Sequence, residues 1–261
     1  MGTKRRKISF RSLRILFLLV VLVSIAGMTF WERLYVRSWN RPLDVMIYSI
    51  NGDGSEKVTD YLEQLHTDSF QPIADFIESE GYRRKLKHFP PVRISLHPGI
   101  NELPPLPPVG NGSALSSILW SLKMRYYAFR HTPFWNSLGK IRLFVVYHEG
   151  EAGKPLQHSL GLQKGLVGVV HVFADKKQND QNNVVIAHEL LHTLGATDKY
   201  GPDGFPQYPE GFGDPDATSR YPQLVGEIMA GRIAISPGHA EIPPSLAECV
   251  IGYKTAYEIN W

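Results

Sequence analysis

Cysteine is almost missing from this chain, as are the patterns of several common classes of site. Its 261 residues include one cysteine, Cys249, which excludes an intramolecular disulfide framework and any cysteine-rich zinc or iron–sulfur site. No glycine-rich phosphate loop follows a predicted strand, and no G-x-S-x-G segment or internal repeat is present. We expect Cys249, on a predicted last helix, to be a small buried apolar residue.

Basic residues are in excess over the whole chain but not over its larger part. The net charge is +3, yet residues 1–41 hold nine basic residues and one acidic residue. The remainder therefore has 19 basic against 24 acidic residues. A mildly acidic globular part argues against a phosphate-binding surface, so we expect no nucleic-acid partner.

The N-terminal segment contains a long apolar run behind a basic tail. Residues 15–31 carry no charge and would extend about 25 Å as a helix, close to the thickness of a hydrocarbon core. We predict a basic cytoplasmic tail (1–14), a transmembrane signal-anchor helix (15–31), a juxtamembrane linker (32–42) and an external catalytic domain (43–261), periplasmic in a Gram-negative bacterium. The alternative is cleavage near Ala26, which would release a secreted domain.

Strand and helix patterns alternate along residues 43–261. The predicted strands are 43–50, 92–96, 141–147 and 165–173, and the predicted helices are 55–65, 69–87, 113–130, 182–194 and 243–257. This order predicts an α+β fold, similar to α/β folds, with helices packed on a mixed, mostly parallel sheet. In the helix at 113–130, five apolar residues are expected to face the core: Leu115, Ile118, Leu119, Leu122 and Tyr126.

One segment has the pattern of a metal-dependent hydrolase. His188, Glu189 and His192 form H-E-x-x-H within a predicted helix. Residues four positions apart share one face of a helix, so both imidazoles can bind one Zn²⁺. Glu189, next to the first ligand, is placed to hold the zinc-bound water and to act as its general base.

The third metal ligand is expected just after this helix. Gly195 can adopt the left-handed conformation that ends helices, and Asp198 follows three residues later. Two imidazoles and one carboxylate leave the fourth position of Zn²⁺ to water, as in catalytic zinc sites. We favour Asp198 because nothing else explains the glycine spacing. The alternative is a downstream glutamate, and three are available: Glu227, Glu241 and Glu248.

In this pattern the chain resembles the zincin metallopeptidases, and among them the metzincin clan. The metzincin signature H-E-x-x-H-x-x-G-x-x-H, with Asp as the last residue in some members, is matched at five positions: His188, Glu189, His192, Gly195 and Asp198. The resemblance implies a methionine turn beneath the metal, for which Met229 is the candidate. It also implies an antiparallel edge strand along the cleft, here around residues 156–165, to which an extended peptide substrate adds.

The chain departs from the metzincins in two places. Many metzincins carry a tyrosine two residues after the methionine, but Gly231 occupies that position. Transition-state stabilisation would then fall to Tyr200, Tyr208 or Tyr221, or to no tyrosine. Residues 98–135 have no obvious counterpart in the minimal metzincin fold.

These observations predict a membrane-anchored zinc metallopeptidase, an endopeptidase with a peptide or protein substrate. One alternative is a zinc hydrolase acting on a non-peptide amide. Another is a non-catalytic envelope binding or scaffold protein with a vestigial metal site. His148 and His171 are expected to be hydrogen-bonded structural histidines rather than a second metal site. The sequence specifies neither the substrate nor the oligomeric state.

Overall fold

The computed structural model describes residues 10–87, 90–108, 113–132, 139–150, 160–162 and 166–261. The helices are α1 (Phe10–Arg37), α2 (Glu56–Leu62), α3 (Gln71–Arg83), α4 (Ala114–His131), α5 (Asn179–Leu194) and α6 (Tyr253–Glu258). The strands are β1 (Leu43–Asn51), β2 (Val92–His97), β3 (Ile141–His148), β4 (Leu160–Leu162), β5 (Val167–Phe173), β6 (Gly226–Glu227), β7 (Ile233–Ser236), β8 (His239–Glu241) and β9 (Cys249–Val250).

Five strands form one mixed sheet in the order β2-β1-β3-β5-β4. The first four are parallel, and β4 pairs antiparallel with β5 at the edge. Nearly continuous apolar runs such as β3 suit the central strands, which are covered on both faces. The prediction of helices on a mixed, mostly parallel sheet is confirmed. Of residues 156–165, where the edge strand was expected, Leu160–Leu162 are described, and they form β4.

The two faces of the sheet pack against different helices. Because side chains alternate along a strand, Val45 and Leu143 contribute to one core, and Met46 and Phe144 contribute to the other. The first core also contains buried apolar residues of α2, α3 and α5. The second core contains Met124, Tyr127 and Ala128 of α4. Helix α5, which carries the H-E-x-x-H segment, therefore lies on the face opposite α4.

The prediction for the inward face of α4 is wrong. The five residues expected to be buried are each at least half exposed: Leu115, Ile118, Leu119, Leu122 and Tyr126. Apolar residues occur on more than one side of this helix, and the sheet covers only the side that contains Met124, Tyr127 and Ala128. The Tyr127 hydroxyl fixes this orientation by donating a 2.6 Å hydrogen bond to the carbonyl of Glu102.

The prediction of one long C-terminal helix is also wrong. A turn at Leu246–Glu248 precedes β9, and only Tyr253–Glu258 form the helix α6. Strand β9 pairs in parallel with β6, about 20 residues earlier in the chain. This non-local pairing extends the backbone at Cys249, which is buried in β9 rather than on a helix.

The predicted location as a single-pass membrane protein is wrong. Among the described residues, no helix is both long enough and apolar enough to cross a bilayer, as such a protein requires. Helix α1 contains residues 15–31 and continues into the predicted linker. Near its C-terminal end Val36 and Trp39 are buried, and Trp39 Nε1 donates a 2.8 Å hydrogen bond to the carbonyl of Ile259.

Candidate metal site

Helix α5 begins at Asn179 and is fixed to the sheet by its first turns. Either Asp180 or Asn182 could cap a helix by its residue type, but both lie inside α5. The Asn182 side chain instead bonds the backbone of Phe173 in β5. Its Nδ2 donates to the Phe173 carbonyl at 2.8 Å, and its Oδ1 accepts from the Phe173 N–H at 3.3 Å. These bonds fix the position of α5 along the sheet.

The remaining length of α5 follows the sequence prediction. Its buried apolar residues include Val184, Ala187, Leu191 and Leu194. The helix ends at Gly195, whose φ of 107° is in the left-handed region. The Ala196 N–H then bonds the Leu191 carbonyl at 3.1 Å, so the chain turns back towards the helix. This turn brings Asp198 beside the two histidines.

Three side chains converge at this turn. The Nε2 atoms of His188 and His192 are 3.0 Å apart. Asp198 Oδ1 lies 3.3 Å from Nε2 of His188 and 3.1 Å from Nε2 of His192. Each histidine is only slightly exposed, whereas the Asp198 side chain is 42% exposed. One side of the cluster is therefore open to solvent.

Backbone carbonyls fix the orientation of both imidazoles. His188 Nδ1 lies 2.9 Å from the carbonyl oxygen of Ile228, and His192 Nδ1 lies 2.9 Å from that of Ala196. A carbonyl can only accept a hydrogen bond, so each Nδ1 must carry the proton. In a neutral imidazole the other nitrogen, Nε2, then presents a lone pair.

The cluster fits a metal ion. Two Nε2 lone pairs and one carboxylate oxygen meet within 3.0–3.3 Å of one another, and such an arrangement of acceptors needs a proton or a metal ion between them. A tetrahedral ion with bonds of about 2.0–2.1 Å holds its ligand atoms about 3.3–3.4 Å apart. The hydrogen bonds at Nδ1 are the outer contacts that metal-binding histidines usually make. His188, His192 and the intervening Glu189 thus belong to a group that could hold a metal ion.

Glu189 lies beside this cluster but is not equivalent to Asp198. It is buried, and one of its carboxylate oxygens lies within 4.8 Å of an imidazole nitrogen of each histidine. Asp198 Oδ1 is closer, at the 3.1–3.3 Å separation expected between two ligands of one ion. This difference favours Asp198 as a ligand and leaves Glu189 for another role.

The segment that carries Asp198 is held by Glu258 at the end of α6. Glu258 accepts hydrogen bonds from the Thr197 N–H at 2.9 Å and from the Thr197 hydroxyl at 2.8 Å. It also forms a 2.8 Å ion pair with Lys199, whose side chain is buried. The residues on both sides of Asp198 therefore share one carboxylate. Sequence reasoning missed Lys199 and Glu258 because they are 59 residues apart.

Met229 lies in a turn that touches the cluster through its backbone. The turn Ile228–Ala230 is fully buried or nearly so, and Met229 itself is 0% exposed. The Ile228 carbonyl orients His188, and the Met229 carbonyl accepts a 2.9 Å hydrogen bond from the N–H of Lys199. The resemblance to metzincins pointed to Met229, but it gave no role to the carbonyl of Ile228.

The three tyrosines proposed from the sequence occupy different environments. The Asp198 carboxylate is near enough to the Tyr200 hydroxyl to raise its pKa, and the Tyr200 side chain is partly exposed. The Tyr208 ring instead stacks under the guanidinium of Arg220 at 3.9 Å. Tyr221 packs its ring against Phe212. Of these contacts, only that of Tyr200 reaches the cluster.

The three alternative glutamate ligands are engaged elsewhere. Both oxygens of Glu227 accept hydrogen bonds from buried donors. Glu241 is exposed beside His239, and Glu248 accepts a 2.6 Å bond from the Ser245 hydroxyl.

His148 and His171 bond each other on the opposite face of the sheet from α5. Nε2 of His148 lies 2.9 Å from Nδ1 of His171, and Nδ1 of His148 lies 2.8 Å from Asp53. Burial and the neighbouring His148 lower the pKa of His171 to about 4. These contacts match hydrogen-bonded structural histidines.

The pKa values in the cluster reflect mutual attraction. Burial alone would raise the pKa of Asp198, but the imidazoles of His188 and His192 beside its carboxylate hold it well below its ordinary value. Burial alone would lower the pKa of His192, but the carboxylates of Asp198 and Glu189 raise it above its ordinary value. The cluster thus favours positive charge at its centre, which a proton or a metal ion can supply.

Comparisons with known proteins add little to this geometry. No protein-family model matches the chain, and no curated protein sequence matches it. Among solved structures, the chain is similar to catalytic inactive OgpA from Akkermansia muciniphila in complex with an O-glycopeptide substrate, glycodrosocin. The match has a TM-score of 0.32 and 13% identity, and it covers 78% of this chain and 57% of OgpA. A likeness at that TM-score defines neither the fold nor the chemistry of this chain.

Proposed function

We propose that residues 43–261 form a zinc-dependent peptidase of the metzincin-like type, in which His188, His192 and Asp198 hold Zn²⁺. One observation carries the proposal. Three acceptor atoms from these residues lie within 3.0–3.3 Å of one another, while both Nδ1 atoms bond backbone carbonyls. Three acceptors cannot bond one another, so a proton or a metal ion must lie between them. We favour the metal ion because the spacing of 3.0–3.3 Å is close to that of ligand atoms on one Zn²⁺.

The donor set supports zinc and supports catalysis rather than a structural role. Imidazole nitrogens and a carboxylate oxygen suit Zn²⁺, whereas Ca²⁺ and Mg²⁺ prefer oxygen ligands alone. Structural zinc sites have four protein ligands, but catalytic sites have three and keep one position open. The exposure of Asp198, at 42%, leaves a path for solvent and substrate.

Glu189 is proposed as the general base. Bound zinc would polarise the substrate carbonyl and make water more acidic. The Glu189 carboxylate accepts the proton of the attacking water and passes it to the nitrogen of the departing amine. Its burial beside the two histidines keeps it in place for this transfer. Glu189 acts on the proton and does not need to contact the ion.

Tyr200 is proposed to stabilise the transition state. Its hydroxyl lies near enough to Asp198 for the carboxylate to raise its pKa, and its side chain is partly exposed. We therefore place it at the edge of the cluster, where the substrate carbonyl would enter. A phenolic O–H there can donate to the oxygen that gains negative charge during attack. Burial and the negative charge of Asp198 raise the pKa of Tyr200, which keeps this proton on the oxygen near neutral pH.

The proposal is tested with the variant Glu189→Gln. Wild type and variant are loaded with zinc and incubated with a mixed peptide library and with a panel of non-peptide amides, and mass spectrometry identifies the products. We expect peptide cleavage by the wild type alone, with equal zinc content in both proteins. The exposed Glu241→Gln serves as the matched control and should cleave like the wild type.

The other outcomes separate the competing functions. Cleavage of non-peptide amides alone would keep the metal chemistry and replace the substrate class. Zinc binding without hydrolysis of either class would favour a non-catalytic binding protein. Full activity of Glu189→Gln would refute the role of Glu189 as the base.

A further inference from the structure

A single buried carboxylate, Glu227, joins two segments of the chain behind the candidate metal site. Its side chain is 0% exposed. One oxygen, Oε2, accepts hydrogen bonds from the Met229 N–H at 2.6 Å and from the Ala230 N–H at 3.1 Å. The other, Oε1, accepts from the Gly252 N–H at 3.2 Å and from the Thr255 hydroxyl at 2.6 Å. Glu227 therefore holds the turn Ile228–Ala230 against the start of α6.

This turn supplies backbone contacts to one proposed ligand and to the residue that follows another. The Ile228 carbonyl accepts the 2.9 Å hydrogen bond that orients His188. The Met229 carbonyl accepts a 2.9 Å hydrogen bond from the N–H of Lys199, the residue directly after Asp198. Any movement of the turn would rotate the imidazole and shift the carboxylate together. The side chain that fixes the turn thus acts on both ligands.

We infer that Glu227 is a positioning residue of the metal site, which sets the affinity for the ion through the turn Ile228–Ala230. The inference rests on the proposed function, because it takes His188 and Asp198 as ligands. Glu227 does not touch the ion in this account. Its role is to place the Ile228 and Met229 carbonyls before the ion binds.

The chemistry of the site requires a carboxylate at this position. All four groups that face Glu227 are hydrogen-bond donors, and a carboxylate has two oxygens that only accept. A glutamine of the same shape has one oxygen and one NH₂ group, so its NH₂ group would face at least one N–H. Gly252 packs close enough that a Cβ there would lie 3.0 Å from Glu227 Cγ. The replaced side chain therefore has little room to move away.

A second buried carboxylate offers a matched control. Glu80 is 3% exposed and accepts a 2.8 Å hydrogen bond from the N–H of Ile251, the residue before Gly252. It also pairs with Arg83. Glu80 therefore holds the same C-terminal segment as Glu227, but its hydrogen bonds go to Ile251 and Arg83 rather than to the turn Ile228–Ala230. A change at Glu80 affects the stability of this segment without affecting the proposed positioning.

The experiment measures the affinity of the full-length apoprotein for Zn²⁺ by competition with a chelator, and the absorption spectrum of the Co²⁺-substituted protein. For Glu227→Gln we expect zinc affinity about 10–100-fold weaker than wild type, the usual effect of removing an outer contact of a metal site. The Co²⁺ spectrum should change with it. For Glu80→Gln we expect a lower free energy of unfolding with wild-type zinc affinity and spectrum.

A milder variant decides the question if Glu227→Gln does not fold. Thr255→Val keeps the shape of the side chain and removes one of the four donors to Glu227. We expect it to weaken zinc binding by about fivefold, the effect of one hydrogen bond. Wild-type affinity and spectrum in Thr255→Val, or in a folded Glu227→Gln, would overturn the inference and leave the proposed function standing. Failure of the wild type to bind zinc would overturn both.

Discussion

Replacing Glu258 by glutamine removes the negative charge that holds the chain on both sides of Asp198. The Lys199 and Glu258 side chains are only 6% and 16% exposed, and their N–O distance is 2.8 Å. Breaking such a buried pair from one side leaves a buried charge uncompensated and usually costs about 3–5 kcal/mol. Lys199 Nζ keeps two neutral acceptors, the carbonyl and hydroxyl of Thr197. We therefore expect the lower end, about 3 kcal/mol.

Urea denaturation of the apoprotein measures this loss, and an exposed pair provides the control. Lys57 and Glu149 have the same N–O distance of 2.8 Å, but their side chains are 63% and 40% exposed. Water and salt screen a pair of this kind, so Glu149→Gln should leave the unfolding transition unchanged within error. Each variant removes the carboxylate charge that pairs with a lysine. The comparison thus isolates the effect of burial.

Equal destabilisation by Glu258→Gln and Glu149→Gln would contradict this expectation. That result would mean that the Lys199 ammonium reaches solvent without cost, and that the segment around Asp198 needs no partner in α6. A loss of about 3 kcal/mol in the free energy of unfolding, with an unchanged slope of that free energy against urea concentration, would indicate a local break in an otherwise intact fold.

Three further predictions concern pH, catalysis and the end of α5. Burial opposes ionisation of Glu258, but Lys199 and Thr197 lower its pKa below the ordinary 4.5. The stabilisation by Glu258 is therefore complete above pH 4.5 and is lost as the pH falls through the folded-state pKa. The difference in unfolding free energy between wild type and Glu258→Gln should shrink below pH 4.5, and a constant difference would contradict this. Tyr200→Phe should lower kcat by about 100-fold with zinc retained, while Tyr208→Phe should leave kcat unchanged. Equal kcat values for the two variants would contradict a role of Tyr200 in stabilising the transition state. Gly195→Ala places a Cβ at a φ of 107° and should cost about 1–2 kcal/mol in thermal or urea unfolding; no loss would mean that the turn relaxes.

Local signals in the sequence predicted the sheet and the metal-site helix. The runs at β1, β3 and β5 are apolar enough to indicate strands covered on both faces, and all three form the central part of the sheet. Helix α5 was predicted because its buried stripe, its two histidines and its terminal glycine agree. Gly195 adopts the left-handed conformation that its place in the pattern required.

Other features depended on partners distant in the sequence. Apolar residues occur on more than one side of α4, and only the sheet decides that Met124 and Tyr127 are buried while Leu115 and Ile118 are not. The C-terminal helix is short because Cys249–Val250 pair with β6, and no local pattern signals that pairing.

The supporting contacts of the site were the least predictable part. A glutamate that accepts backbone N–H groups looks, in sequence, like any surface glutamate. Glu227 was considered only as a metal ligand, yet the structure has both its oxygens occupied by donors. No pattern in the sequence indicates a role for Glu258, although it binds Thr197 and Lys199. Their roles follow from burial and distance, which spacing along the chain does not provide.

The binding of one zinc ion by His188, His192 and Asp198 is tested most directly by zinc stoichiometry. Elemental analysis after reconstitution and dialysis would compare the full-length wild type with His192→Ala, and with His148→Ala as a histidine control outside the site. The account predicts about one zinc per chain in the wild type and in His148→Ala, and none in His192→Ala. A wild type without zinc, or equal zinc in His192→Ala, would contradict it.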